Sequence, residues 1–115
     1  MQRFYYLSSC DTCKRIIKTL ELPNTVTLID IKRTPLQEAE LEELYRHTKS
    51  YEALLNKRAQ KLKEIDKSSL TEDKIKSLLL DHYTFLKRPV LVLGDELFIG
   101  NAKATIAAAK AALHG

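Results

Sequence analysis

Aromatic and apolar residues fill RFYYL (residues 3–7) and stop at Ser8-Ser9, which predicts a β-strand. Just beyond it, Cys13, Ile16, Ile17 and Leu20 recur at the three-and-four spacing of one helix face, and Pro23 is the expected stop. TVTLIDI (25–31) is β-branched and partly alternating, the pattern of a second strand. A β-α-β unit this short favours a parallel strand pair with a right-handed crossover.

The middle of the chain changes to helical periodicity. TPLQEAELEELYRHT offers Thr34 as N-cap, Pro35 at the first helical position and acids in the early turns, with Leu41, Leu44 and Tyr45 as an apolar stripe. SYEALLNKRA begins a short helix and then turns irregular and basic. SLTEDKIKSLLLDHY has Thr71 as N-cap and Ile75, Leu78, Leu79 and Tyr83 as the face to be buried, with His82 inside the helix. After Arg88-Pro89, VLVL is a buried strand, Gly94-Asp95 a turn, and ELFI its antiparallel partner. Gly100-Asn101 makes a bend, and AKATIAAAKAALH closes the chain as an amphipathic helix carrying Ile106 and Leu113.

The order β-α-β, helices, β-β-α predicts an α/β protein: a small mixed sheet flanked by helices, with a helical insert of about 34–87 between the two halves. A length of 115 residues suits one domain, 1–115, with a modest core. Nothing repeats and no linker interrupts it.

Composition narrows the function classes. The chain is 44% hydrophobic and 30% charged, as expected of a globular protein, and no apolar run reaches the ~20 residues of a membrane span. The apolar start lacks a small-residue cleavage site and reads as a strand, so a reducing cytoplasm is the expected location. There, a cysteine pair points to redox or metal chemistry before a structural staple. The net charge of +4 permits anionic partners without requiring them. The densest basic stretch, NKRAQKLKEIDK, has no aromatic residue to stack on bases, so direct DNA binding is not expected.

Both cysteines lie in CDTC, at Cys10 and Cys13. A zinc site ordinarily needs four protein ligands, the motif has no second half, and His47, His82 and His114 stand far apart, so no metal is expected. Redox chemistry fits better. Cys10 falls where a strand yields to a helix, whose first amides are unpaired, and Lys14 and Arg15 add positive charge; both effects favour a thiolate. Cys13, one turn on, can reach back, which makes Cys10 the candidate attacking thiolate and Cys13 the candidate resolving thiol. The alternative for Cys13 is a small core residue on the apolar helix face. Arg88 and Pro89 form a second candidate site: proline suits the first residue of a strand, and closure of the sheet would bring Arg88 beside Cys10, where a guanidinium can hold an anion bidentately. The alternative is a surface arginine before an edge strand.

The combined order of CDTCKR, YEALLNKR, LTEDKIKSLLLDHYTFLKRPVLV and LFIGN resembles the arsenate reductase family of thioredoxin-like proteins, which includes glutathione-linked arsenate reductases and the Spx transcriptional regulators. The resemblance covers nearly all of the chain. It implies a thioredoxin-like fold with a cis proline at Pro89, a nucleophile at Cys10, and an anion-binding arginine at Arg88. It also implies an arginine in the insert, Arg58, as a substrate contact; Lys14 and Pro89, next to the cysteines and Arg88, are further candidate substrate contacts. The insert arginine of arsenate reductases falls nearer Asn56, and their third arginine near Gly100, where this chain has glycine. Cys13 departs from the glutathione-linked enzymes and matches the two-cysteine switch of the Spx branch.

Three classes of function follow. One is a thiol–disulfide oxidoreductase acting on an oxyanion such as arsenate or on a mixed disulfide, with no bound cofactor and with glutathione, glutaredoxin or thioredoxin as reductant. Another is a redox-sensing regulator that binds the RNA polymerase α subunit. The last is an interaction domain that keeps the fold without the chemistry.

Overall fold

A computed structural model describes residues 2–115. Four strands and four α-helices follow in the order β1 (Gln2–Tyr6), α1 (Asp11–Leu20), β2 (Thr27–Asp30), α2 (Glu38–Thr48), α3 (Glu72–Asp81), β3 (Val90–Leu93), β4 (Glu96–Ile99) and α4 (Lys103–His114). The sheet order is β2-β1-β3-β4. β1 runs parallel to β2, with Phe4 opposite Leu28 and Tyr6 opposite Asp30. It runs antiparallel to β3, with Phe4 opposite Leu91, and β3 is antiparallel to β4. The β-α-β and β-β-α halves thus share one mixed sheet, and the helical segment lies between them in sequence.

The chain divides into two compact units, residues up to Thr34 with Arg88–Gly115, and Pro35–Lys87. In the first, Phe4, Ile16, Leu20, Val26, Leu91 and Ala109 form a core, with Tyr6, Ile17, Phe98, Ile106 and Leu113 packed on it. Phe4 and Leu20 are almost wholly buried, and burying each such side chain contributes about 1.5–3 kcal/mol. The core joins α1 and α4 to one sheet face. Their ends are tied as well: His114 Nε2 donates to the Leu20 carbonyl at 2.7 Å. Helix α1 does not run to Pro23. It stops at Leu20 because Glu21 takes a left-handed conformation, φ 51°.

In the second unit Leu41, Leu44, Leu54, Leu55, Ile75, Leu78, Leu79, Phe85 and Leu86 are buried. The backbone of Leu54–Asn56 pairs with that of Phe85–Lys87, through Asn56 N to Phe85 O and Lys87 N to Leu54 O, both 2.8 Å. Helix α2 starts three residues later than the Thr34-Pro35 signal predicts. The Asp30 carbonyl accepts from the amides of Arg33 and Thr34 (3.1 and 2.8 Å), closing a turn where the helix was expected. Gln37 caps instead, its amide donating to Glu40 Oε1 at 3.1 Å. Thr71 caps α3 as expected, accepting from the Lys74 amide at 3.2 Å. His82 lies beyond the end of α3, in extended backbone, and its Nδ1 accepts from the Thr84 amide at 3.0 Å. Tyr83 is therefore off the helix and only half-buried.

Candidate functional site

The turn Leu7-Ser8-Ser9-Cys10 joins β1 to α1. Its closing bond runs from the Cys10 amide to the Leu7 carbonyl at 3.0 Å. Cys10 is the N-cap of α1, with extended backbone (φ −97°, ψ 114°), and its carbonyl accepts the Lys14 amide at 3.2 Å. The side chain therefore leaves the backbone where the unpaired amides of the first helical turn converge. Both cysteines are free thiols; Cys10 is half-buried and Cys13 buried.

The two thiols are pushed in opposite directions. Burial raises the Cys10 thiol, but the nearby Cys13 amide and side chain, the Thr12 amide and the charge of Arg88 outweigh it, and the thiol lies below its ordinary value even though no amide makes a full capping hydrogen bond to the side chain. Cys13 sits in the core face of α1 with Ile16 and Leu20. Burial is the largest influence there; the neighbouring Cys10 adds to it, and the Leu7 backbone and Arg88 only partly offset it, so the thiol is pushed up to about 11.

The Arg88–Pro89 peptide bond is cis. Pro89 is buried, Arg88 half-buried, and the Arg88 charge acts on both sulfurs. The same unit thus brings together Cys10 and Cys13 with Arg88 and Pro89, two segments distant in sequence. Lys14 is exposed on the first turn of α1. Arg58 belongs to the other unit, where it is exposed and its amide donates to Asn56 Oδ1 at 3.2 Å. At Gly100 the backbone has φ 90°, a region that disfavours any side chain, and its amide donates to the Pro89 carbonyl at 2.9 Å. Glycine at the place of a third arginine is thus what the local backbone calls for.

One residue of this neighbourhood escaped the sequence reading. Asp30, the last residue of β2, is 9% exposed, the one charged side chain recorded as buried among the described residues. Its Oδ1 accepts from the amides of Ser8 (3.3 Å) and Lys32 (3.2 Å). Burial raises its carboxyl, but the Ser8 side chain and amide, the Lys32 amide and the Arg33 charge hold it below the usual carboxylate range. The available signal was an acid closing the otherwise apolar and β-branched run TVTLI. Among the described residues no group of three or more His, Cys, Asp or Glu side chains could hold a metal ion, and no helix is long and apolar enough to cross a membrane.

A parallel β-α-β unit joined to an antiparallel hairpin, with a cysteine capping the first helix and a cis proline before the third strand, defines a thioredoxin-like fold. The sequence model of the ArsC family matches residues 5–109, and the chain belongs to that family. Among solved structures, it is similar to an arsenate reductase related protein from Brucella melitensis, with 25% identity, coverage of 93% of this chain and 92% of that one, and a TM-score of 0.73. It is similar to a Staphylococcus aureus protein at 27% identity, covering 94% and 97%, with a TM-score of 0.74. An arsenate reductase from Vibrio cholerae shares the fold, with a TM-score of 0.77 over 93% and 95% of the chains at 19% identity. No curated protein matches.

Proposed function

We propose that this protein is a cytoplasmic thiol-dependent reductase in which Cys10 is the nucleophile and Cys13 the resolving thiol. The observation that carries this reading is the seat of Cys10 at the N-cap of α1, where amides and Arg88 hold its thiol below the ordinary value. Family membership supports a thiol-based reductase in general.

With a mixed disulfide as substrate, the Cys10 thiolate attacks one sulfur, and the other leaves as a thiolate that takes up a proton. The Cys13 thiol then gives up its proton and attacks Cys10, releasing the bound half of the substrate as a second thiol. Two electrons have passed to the substrate, and the Cys10–Cys13 disulfide is left. Two equivalents of glutathione, or one reduced glutaredoxin or thioredoxin, return the pair to thiols. With an oxyanion such as arsenate, Arg88 would hold the anion through paired N–H donors while Cys10 attacks the arsenic and one oxygen leaves as water; a second thiol, Cys13 or glutathione, then attacks the Cys10 sulfur, and the arsenic departs with the S–As electron pair as arsenite, leaving a disulfide. Arg58, Lys14 and Pro89 are the further candidate substrate contacts.

A second reading starts from the same pair. The Cys13 side chain lies beside Cys10, so a two-electron oxidant such as a peroxide or a disulfide would close the Cys10–Cys13 bond within one molecule. A redox switch of the Spx kind, binding the RNA polymerase α subunit, needs that same bond.

The test measures reduction of a glutathione mixed disulfide and of arsenate by the wild-type protein and by Cys10→Ser, with glutaredoxin supplied. Turnover that vanishes in Cys10→Ser supports the reductase. No turnover of either substrate, together with capture of the α subunit only by oxidised protein, would establish the switch instead.

A further inference from the structure

We propose that Asp30 is a positioning residue of this site: from the end of β2 it holds the turn that presents Cys10 to the first amides of α1. This deepens the reductase reading and rests on it.

The argument begins with the turn. Between Tyr6 and Cys10 the chain must leave the sheet, reverse, and enter a helix with Cys10 at its cap. Three bonds fix that path. The Ile31 amide donates to the Tyr6 carbonyl at 2.9 Å, extending the β1–β2 pairing. The Cys10 amide closes the turn on the Leu7 carbonyl. The Ser8 amide, at the first central position, has no partner within a turn of this kind. Asp30 supplies one from the neighbouring strand.

The carboxylate is itself fixed. The register of the parallel pair sets Asp30 opposite Tyr6, at the sheet end from which the turn departs. Its Oδ1 also holds the Lys32 amide, while its carbonyl closes the turn at Arg33 and Thr34. A buried carboxylate with amide donors is a rigid strut, because releasing either donor leaves a buried charge poorly solvated. Stability alone does not require an acid here, since an apolar residue could fill a strand end. The acid accounts for an otherwise unpaired amide two residues before the nucleophile.

The groups that bear on Cys10 are then divided by task. The Thr12 and Cys13 amides, the Cys13 side chain and Arg88 act on the sulfur. Asp11, Lys14 and Arg15 flank it on the exposed side of α1. Asp30 acts through Ser8, by geometry, and its own negative charge would work against a thiolate.

The experiment follows iodoacetamide labelling of Cys10 against pH in the full, reduced chain, with the Cys10 peptide read by mass spectrometry. Thermal melts are run beside it. Asp30→Ala removes the acceptor. Ser8→Pro removes the donor at a turn position where proline is favoured. Asp30→Asn keeps an acceptor oxygen and drops the charge. In the first two the pH midpoint is expected to move towards the free-thiol value of about 8.5. The rate at pH 7 should fall about threefold per unit, because the thiolate population drops tenfold and greater nucleophilicity recovers about half of that on a logarithmic scale. Combining the two should add little beyond either one. Asp30→Asn should stay near wild type.

A wild-type midpoint at the free-thiol value would overturn the reductase reading itself. A depressed wild-type midpoint left unmoved by both Asp30→Ala and Ser8→Pro would leave that reading standing and overturn the role of Asp30, as would an Asp30→Asn midpoint as high as that of Asp30→Ala. Should Asp30→Ala fail to melt cooperatively, Ser8→Pro decides.

Discussion

Opposite shifts at Cys10 and Cys13 make the stability of the reduced protein depend on pH in a way that one substitution exposes. In the unfolded chain Cys13 ionises near its ordinary value of 9.0, whereas in the folded protein it keeps its proton until about 11. Between those values unfolding releases a proton, so raising the pH favours the unfolded state. The contribution of Cys13 is fully present below 9 and is lost as the pH rises through 11. Two pH units at about 1.4 kcal/mol each set a ceiling of roughly 3 kcal/mol, and the share that comes from the neighbouring Cys10 thiolate brings the expectation to about 2 kcal/mol. Cys10 works the other way. Its folded value is depressed, so its contribution is present above the unfolded value and is lost as the pH falls through the folded one. The measurement is urea unfolding of wild type and Cys13→Ala from pH 7 to 10.5, under nitrogen with a phosphine reductant. Up to pH 8 the variant should be less stable by about 1 kcal/mol, the packing of one buried sulfur. Above pH 9 the gap should close and reverse, since only the wild type has a buried thiol that the unfolded chain ionises. Parallel curves across the whole range would refute the argument, because they would mean that Cys13 titrates alike in both states.

Two further outcomes are expected. Arg88→Met removes a charge that favours both thiolates, so the pH midpoint of Cys10 alkylation should rise and labelling at pH 7 should slow, by less than the about threefold that a full unit costs because Arg88 is the smallest of the influences on that sulfur; an unchanged midpoint would remove Arg88 from the electrostatics of the site. Leu20→Ala opens a cavity in the core between α1 and the sheet and should cost about 2–5 kcal/mol in urea unfolding, against under 0.5 kcal/mol for a control at exposed Lys18.

Much of the fold was legible because its signals are local. The β-branched and aromatic runs marked all four strands, and the threefold-to-fourfold spacing of Cys13, Ile16 and Leu20 marked the buried face of α1. The failures occurred where a distant backbone group decided the outcome. Thr34-Pro35 is a good helix start in isolation, but the Asp30 carbonyl had already taken the Arg33 and Thr34 amides, and capping passed to Gln37. The run through His82 kept helical periodicity, yet the chain turned extended there and used the imidazole to hold the Thr84 amide. At the candidate site, the cysteine spacing and Arg88-Pro89 could be read directly. The strut from Asp30 could not, because a single acid at a strand end looks the same whether it faces water or a turn.

The structure also explains why two thiols three residues apart need not be alike. A helix N-cap lies outside the hydrogen-bond ladder, so a sulfur there meets amides with no other partner, and those amides favour negative charge. One turn further, the same side chain faces the apolar core, where the Leu7 backbone only partly offsets burial, and burial dominates. Exchanging the roles would require either rolling α1 so that position 13 left the core or moving the cap by three residues, and each would break the packing of Ile16 and Leu20. The order of attack in the proposed cycle, Cys10 first and Cys13 second, therefore follows from the same helix phase that builds the core. A substitution that loosens α1 on the sheet, such as Leu20→Ala, should bring the two thiols closer in reactivity even where it leaves both cysteines in place.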